Sequence, residues 1–190
     1  MTSPRHKTYL EAARDSILDV GWKRTTLTEV ARRAGVSRMT IYRAWPDMPT
    51  LLADLLTQEW LGVLDKVPAS VEEEVTPRRI ATGVVAAVTA LRDNPLLHRI
   101  IDLDPELLLP YLVERRGRSQ QAILDFLVPL VTAGQESGNV RAGDPVLLVR
   151  TLLLSCHGLA LSVQTMVGDG ITEADLNSTF ADLITGGLTP

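Results

Sequence analysis

Residues 26–46 read TLTEVARRAGVSRMTIYRAWP, and this stretch decides the fold. It predicts two short helices joined by a tight turn. Thr26-Leu27-Thr28-Glu29 fits a capping box, in which a threonine hydroxyl and a glutamate carboxylate satisfy the free N–H groups of a first helical turn. Leu27, Val30, Ala31 and Ala34 then recur at the spacing of one helix face. Gly35 stops that helix, Ser37 caps a second one reaching Ala44, and Pro46 blocks its continuation.

The spacing between the two helices is informative. A helix-turn-helix needs a small residue where the helices touch, a glycine four residues later in the turn, and an apolar plug six residues after that. Ala31, Gly35 and Ile41 meet these demands, with Val30, Val36 and Trp45 completing a small core. Arg38, Met39, Tyr42 and Arg43 are left facing outward, a set suited to a helix entering the major groove of DNA.

Outward from this stretch, almost everything reads as helix, and no alternating strand pattern of useful length occurs. Helix 1 is expected from Thr8 to Val20, with Leu10, Ala13 and Ile17 on one face and Gly21 as its stop. Asp47 caps a helix whose Leu51, Leu52, Leu55 and Leu56 form an apolar face running to Leu64. Residues 68–76, with the acidic run Glu72-Glu73-Glu74, read as a solvated connection. Beyond it helices are expected at 77–92, 95–103, 105–114, 117–137, 145–167 and 173–186, separated by proline- and glycine-containing breaks. The expected architecture is all-α with nine to ten helices: a three-helix head over 1–46, a connecting helix over 47–67, and a helical body over 77–190.

Composition agrees with a globular protein that meets a polyanion. The 190 residues are 45% hydrophobic and 22% charged, with a net charge of -4. Residues 1–45 carry nine Lys and Arg against four Asp and Glu, while residues 46–190 carry ten against nineteen. A basic head on an acidic body is the charge pattern of a nucleic-acid reader. Cys156 is the single cysteine, so no intrachain disulfide framework is possible, which suits the cytoplasm. No signal peptide is read at the N-terminus. The apolar stretch 151–167 is interrupted by Ser155, His157, Ser162 and Gln164, and it reads as a buried helix rather than a membrane span.

Residues 9–60 resemble the N-terminal domain of the TetR family of regulators. The features that carry the likeness are Ala12-Ala13, Gly21-Trp22, Thr25-Thr26, Ala34-Gly35-Val36-Ser37 and the run from Thr40 to Pro46, followed by Leu51-Leu52. The resemblance implies that Arg38, Met39, Thr40 and Arg43 face base edges or adjacent phosphates. It implies phosphate contacts from Ser37, Tyr42 and Thr26, and a basic arm formed by Arg5 and Lys7. Two positions depart from the family pattern. Ala44 stands where an aromatic residue or histidine is common, and Met48 where lysine is common. Both usual residues touch phosphate, so their loss predicts weaker non-specific affinity and a salt slope shallower by about one unit.

The resemblance further implies a body that dimerises and binds a small, largely apolar ligand. Leu152, Ser155, Cys156, Leu159, Ser162, Val163 and Met166 on the penultimate helix, with Leu176, Phe180, Leu183 and Ile184 on the last, are the candidate four-helix dimer interface; a purely intramolecular core is the alternative. The candidate ligand lining is Val88, Leu91, His98, Ile101, Tyr111, Leu112, Ile123, Phe126, Leu127, Leu130 and His157. A ligand there would favour a head spacing that no longer fits a palindromic operator. Arg14, Arg32 and Arg33 are expected on a solvated face.

No catalytic set is found. Cys156 and His157 are adjacent on a helix and point about 100° apart, so they form no dyad. His98 and Asp102 share a helix face, but a satisfied histidine explains that pair better than a metal site. No metal cluster and no cofactor motif is present in the sequence. Two rival readings stay open: a ligand-independent DNA-binding co-regulator of the same shape, and an all-helical enzyme with a vestigial head.

Overall fold

The computed structural model describes residues 4–64 and 74–190. Residues 68–73 of the connection expected at 68–76, which include the acidic run apart from Glu74, and the last three residues of the connecting stretch 47–67 lie outside the described residues. Among the described residues nine α-helices follow in order: α1 Pro4–Val20, α2 Leu27–Arg33, α3 Arg38–Ala44, α4 Met48–Leu64, α5 Pro77–Arg92, α6 Pro95–Leu103, α7 Arg118–Glu136, α8 Pro145–Ser162 and α9 Glu173–Leu188. Short 3-10 turns lie at Trp22–Arg24, Pro105–Leu107 and Val163–Thr165, and a π-helical turn at Pro110–Glu114. Among the described residues there is no strand, only an isolated bridge between Gly168 and Ile171.

The chain forms two compact units, and the division is not sequential. Residues 1–61 and 93–120 make the first unit; 62–92 and 121–190 make the second. This departs from the expected body over 77–190. The cause is apolar: Leu96 and Ile100 of α6 are buried in the same core as Leu10, Ala13 and Ile17 of α1. The head therefore borrows a helix from far along the chain.

Asp47 caps where expected, and three further helix starts carry caps that were not predicted. Asp47 Oδ1 accepts from the Thr50 N–H at 2.7 Å at the start of α4. Asn94 Oδ1 accepts from the Leu96 and Leu97 N–H groups and starts α6, with Pro95 in its first turn. Asp144 caps α8 in the same way. Thr172 and Asp175 form a reciprocal capping box at α9.

Helix α1 begins at Pro4, four residues before the sequence suggests. Proline suits a first helical turn, having a preset φ and no N–H to leave unpaired. The added turn also has packing value: the His6 ring meets Trp45 edge-on at 4.8 Å between centroids, and Tyr9 meets it at 6.3 Å. The expected helix at 105–114 is instead a 3-10 turn followed by the π-helical turn, since Pro110, in its interior, lacks the N–H that a continuous ladder would use.

The second unit is built around α5, α7, α8 and α9. Ile80, Val84 and Val88 of α5 share a core with Leu124, Leu127 and Val131 of α7, Val149 of α8 and Ile184 of α9. Arg92, at the end of α5 and only 8% exposed, ties this bundle together. Its guanidinium donates to Glu173 Oε1 at 2.5 Å, to Asn177 Oδ1 at 3.2 Å and to the Leu159 carbonyl at 3.4 Å. One buried cation thus engages both α8 and α9.

Candidate nucleic-acid interface

The turn between α2 and α3 is a complete Schellman closure. The Val36 N–H donates to the Ala31 carbonyl at 3.0 Å and the Gly35 N–H to the Arg32 carbonyl at 3.3 Å. This geometry places Gly35 at φ +66°, a conformation that side chains disfavour. Ile41 is fully buried against Val30 and Ala31, as the spacing requires. Trp45 is also buried, and its indole N–H donates to Asp54 Oδ2 at 2.8 Å, which fixes the end of α3 against α4.

Helix α3 is consequently held by one face and bare on the other. Arg38, Met39, Tyr42 and Arg43 are exposed, and Thr40 is half-buried. Met39 is 69% exposed and Tyr42 48%, and their three-residue spacing puts them on the same face of the helix. Ser37 accepts from the Thr40 N–H at 3.2 Å, and its hydroxyl lies 2.9 Å from that of Thr40. Thr26 likewise caps α2, accepting from the Glu29 N–H at 3.2 Å.

Only the threonine half of the expected capping box forms. Glu29 turns to the arginines instead, accepting from Arg32 at 2.6 and 2.8 Å and lying 3.7 Å from Arg33. The hydrogen bond from Arg32 holds the Glu29 carboxyl below its ordinary value. Arg33 also reaches Asp19 at 2.6 Å, and Arg14 reaches Glu59 at 3.2 Å. The expectation that Arg14, Arg32 and Arg33 form a solvated face is thereby sharpened: they are ion-paired within the head. Arg38 and Arg43, by contrast, make no ion pair among the described residues, and neither do Arg5 and Lys7.

Arg5 and Lys7 depart from expectation. They are exposed in the first turns of α1, not in an extended arm. An arm threading the minor groove needs extended backbone, and Pro4 starts the helix before them.

The first unit has a contact that no sequence signal announced. Gly21, with φ +85°, turns the chain after α1. The Trp22 N–H then donates to Asp104 Oδ2 at 3.2 Å, and Lys23 Nζ stands 3.4 Å from Asp104 Oδ1 and 2.7 Å from Glu106. Asp104, just after α6, is 3% exposed.

The other candidate residues divide between the units. Of the ligand set, His98, Ile101 and Leu112 are exposed and Tyr111 half-buried in the first unit. In the second, Val88 and Leu127 are buried, Leu91, Ile123, Leu130 and His157 half-buried, and Phe126 exposed. Burial lowers the His157 pKa. It pushes the Cys156 thiol up to about 12, so this cysteine is unreactive at neutral pH.

The dimer candidates also separate. Val163 and Ile184 are buried within the chain, and Leu152, Cys156, Leu159 and Phe180 pack onto the same unit's core or lie half-covered beside it, as does Leu176. Ser155, Ser162, Met166 and Leu183 are exposed. The largest bare apolar groups on α8 are ones the sequence reading passed over: Leu147 at 62%, Leu154 at 68% and Leu161 at 38%. Their seven-residue spacing, with Thr151 and Gly158 between, is a helix-pairing pattern that was available in the sequence. Residues 145–165 are also long and apolar enough to cross a membrane by length and composition. Among the described residues, no group of three or more His, Cys, Asp or Glu is placed to hold a metal ion.

Comparison with known proteins agrees with the helix-turn-helix geometry. Residues 10–55 match the model of the bacterial regulatory proteins of the tetR family. An uncharacterized HTH-type transcriptional regulator of Mycobacterium bovis is 39% identical over 145 residues, 76% of this chain and 74% of that protein. The chain belongs to the TetR family. It is a DNA-binding transcriptional regulator, of a family whose members are regulators rather than enzymes. Two solved TetR-type folds extend the likeness across the whole chain. The R. erythropolis transcriptional repressor QsdR superposes with a TM-score of 0.71 at 17% identity, covering 99% of this chain and 96% of that one. The transcriptional regulator FadR from Bacillus subtilis, in complex with stearoyl-CoA, superposes with a TM-score of 0.63 at 18% identity, covering 95% and 98%.

Proposed function

We propose that this TetR-family regulator is a cytoplasmic repressor, bound as a homodimer to a palindromic operator and released from it by a small, largely apolar ligand. The observation that carries the DNA reading is the contrast among arginines: Arg14, Arg32 and Arg33 are ion-paired, whereas Arg38 and Arg43 on the bare face of α3 are not. A positive charge left without an internal partner beside Met39 and Tyr42 is available to base edges and phosphates. Ser37, Thr40 and Thr26 would complete the backbone contacts, and Arg5 and Lys7 would add phosphate contacts from the side of α1.

The dimer reading is supported by Leu147, Leu154 and Leu161, with Leu183 on α9, all exposed. A second copy covering this face explains an apolar helix in a regulator that works on DNA better than a membrane does. Two recognition helices about one turn of DNA apart, ~34 Å, would then read the two halves of a palindrome. The ligand reading is supported by the stearoyl-CoA bound in a solved structure of the same fold, FadR from Bacillus subtilis.

The test is a gel-shift assay on DNA flanking the protein's own gene, with and without fatty acyl compounds. A discrete complex with the parent, weakened for Arg43→Ala at matched salt, is the expected result. Equal binding by the variant would overturn the role given to Arg43.

A further inference from the structure

The first turn of α1 is weak as a helix start, yet it is formed. Its cations, Arg5 and Lys7, stand at the positive end of the helix dipole, and no acid lies in that turn to offset them. The N–H groups of a first turn also have no partner within the helix, so such an end frays unless packing holds it. Here the packing comes from one ring. His6 continues the buried face of α1, with Leu10, Ala13 and Ile17 following it at helical spacing. The His6 imidazole meets the Trp45 indole edge-on, 4.8 Å between centroids and with the planes at 73°. Tyr9 completes a three-ring cluster, 6.4 Å from His6 and 6.3 Å from Trp45.

Trp45 is a fixed anchor. It is buried directly after Ala44, the last residue of α3. Its indole N–H donates to Asp54 of α4, and Asp54 is in turn engaged by Arg118. The start of α1 is thereby docked at the end of the helix whose bare face carries Arg38, Met39, Tyr42 and Arg43. Arg5 and Lys7 flank His6, each about 100° from it around α1, and both are exposed. The opening of α4, Asp47-Met48-Pro49, brings an acid rather than a cation to this corner. Among the described residues, the cations left without an ion pair beside Trp45 are then Arg43, two residues before it, and the two that flank His6.

We propose that His6 is a positioning residue for DNA binding: packed on Trp45, it keeps the first turn of α1 helical beside the end of α3, so that Arg5 and Lys7 are presented to the phosphate backbone together with the reading helix. The inference rests on the reading of α3 as the helix that contacts DNA. It adds a side chain that touches no DNA itself and yet sets how many phosphate contacts form. Charges on a frayed end must be ordered when DNA binds, whereas a docked turn has met that entropic cost on folding. The two cations weaken the turn of the free protein, and a polyanion across from them turns the same charges to advantage.

The experiment measures binding of the full-length chain by fluorescence anisotropy at several salt concentrations, on two labelled duplexes: the gene-flanking DNA and a scrambled duplex of equal length. Phosphate contacts serve both duplexes alike. Arg5→Gln with Lys7→Gln should weaken both by the same factor and lower the slope of log K against log salt by about two. His6→Ala should also weaken both, about threefold or more, and lower the slope by about one. Adding it to the double variant should change little further. His6→Phe, which keeps a ring on Trp45, should restore the slope of the parent. If the double variant lowers the slope and His6→Ala does not, the positioning role is overturned and the DNA reading stands. A loss by His6→Ala confined to the gene-flanking duplex also overturns it, since the ring would then act on base reading by α3. His6→Phe behaving as His6→Ala overturns ring packing as the cause. If His6→Ala melts below the assay temperature, the exposed pair and His6→Phe carry the test, and a slope unchanged by Arg5→Gln with Lys7→Gln sinks the proposal. Failure of the parent to bind either duplex would overturn the DNA reading as well.

Discussion

The Asp104 carboxylate, buried just after α6, accepts a hydrogen bond from the main-chain N–H of Trp22 at 3.2 Å, across 82 residues of chain. It lies where α1 hands over to the helix-turn-helix, next to Lys23. The hydrogen bonds that Lys23 donates to Glu106 and Asp104 raise its pKa, the one to Glu106 being the larger cause. Replacing Asp104 by alanine leaves the Trp22 N–H without its acceptor in a partly buried place. The expected cost is about 1–3 kcal/mol, read as a lower urea midpoint with unchanged slope. Asp104→Asn, which keeps an acceptor, should lose less.

Gly35 offers a second test of the head. Its φ of +66° is required by the turn, and nothing lies within 4 Å of where a Cβ would be. Gly35→Ala therefore meets no clash, and its penalty is that of the left-handed backbone alone, about 1–2 kcal/mol. Thermal unfolding should show that loss. Operator affinity measured well below the melting temperature should fall much less than for Arg43→Ala.

The DNA contacts are distinguishable by salt. Arg43→Ala and Arg38→Ala should each weaken operator binding about tenfold or more, and a phosphate contact should also reduce the slope of log K against log salt by about one. Arg32→Ala removes a cation already paired with Glu29 and should change both quantities less. Fluorescence anisotropy on a labelled operator at several salt concentrations separates these outcomes.

The second unit is tested by one charge. Leu154 is 68% exposed on α8, so Leu154→Glu should leave the protomer folded. If α8 pairs with its copy, the buried carboxylate prevents association, and sedimentation should show a monomer with weakened operator binding. A variant that remains a dimer would place the interface elsewhere.

His157 predicts a pH dependence. Burial lowers its pKa from the ordinary 6.5, so the unfolded chain binds a proton that the folded chain resists. Its contribution is favourable above pH 6.5 and is lost as pH falls through that value toward the depressed folded one. Urea midpoints measured from pH 8 to pH 5 should decline in the parent, and more shallowly in His157→Gln.

What could be read in the sequence was mostly local. Capping by Thr26, Ser37 and Asp47, the stop at Gly35, and the plug at Ile41 all act within a few residues, and the helix bounds they set agree with those observed. The half-formed capping box is a competition: Glu29 has two arginines within one turn, and a charge-assisted bond outweighs a main-chain N–H. The faces of α8 and α9 were harder. A helix apolar around most of its circumference does not reveal which side meets its own chain, so Ile184 and Val163 were candidates for a partner although they are buried within the protomer. Asp104 was invisible because its contact is set by tertiary placement of α6, which no periodicity within 95–103 encodes.

That placement of α6 bears on how such proteins can be recombined. Leu96 and Ile100 fill the core shared by Leu10, Ile17 and Leu55, so the smallest part that keeps this core whole is not a continuous piece of chain. A chimera that transplants residues 1–64 onto a relative's body inherits that relative's α6 under a foreign α1. Exchanging operator preference between regulators of this kind should succeed when 93–120 travels with the head, and should yield poorly soluble hybrids when it does not.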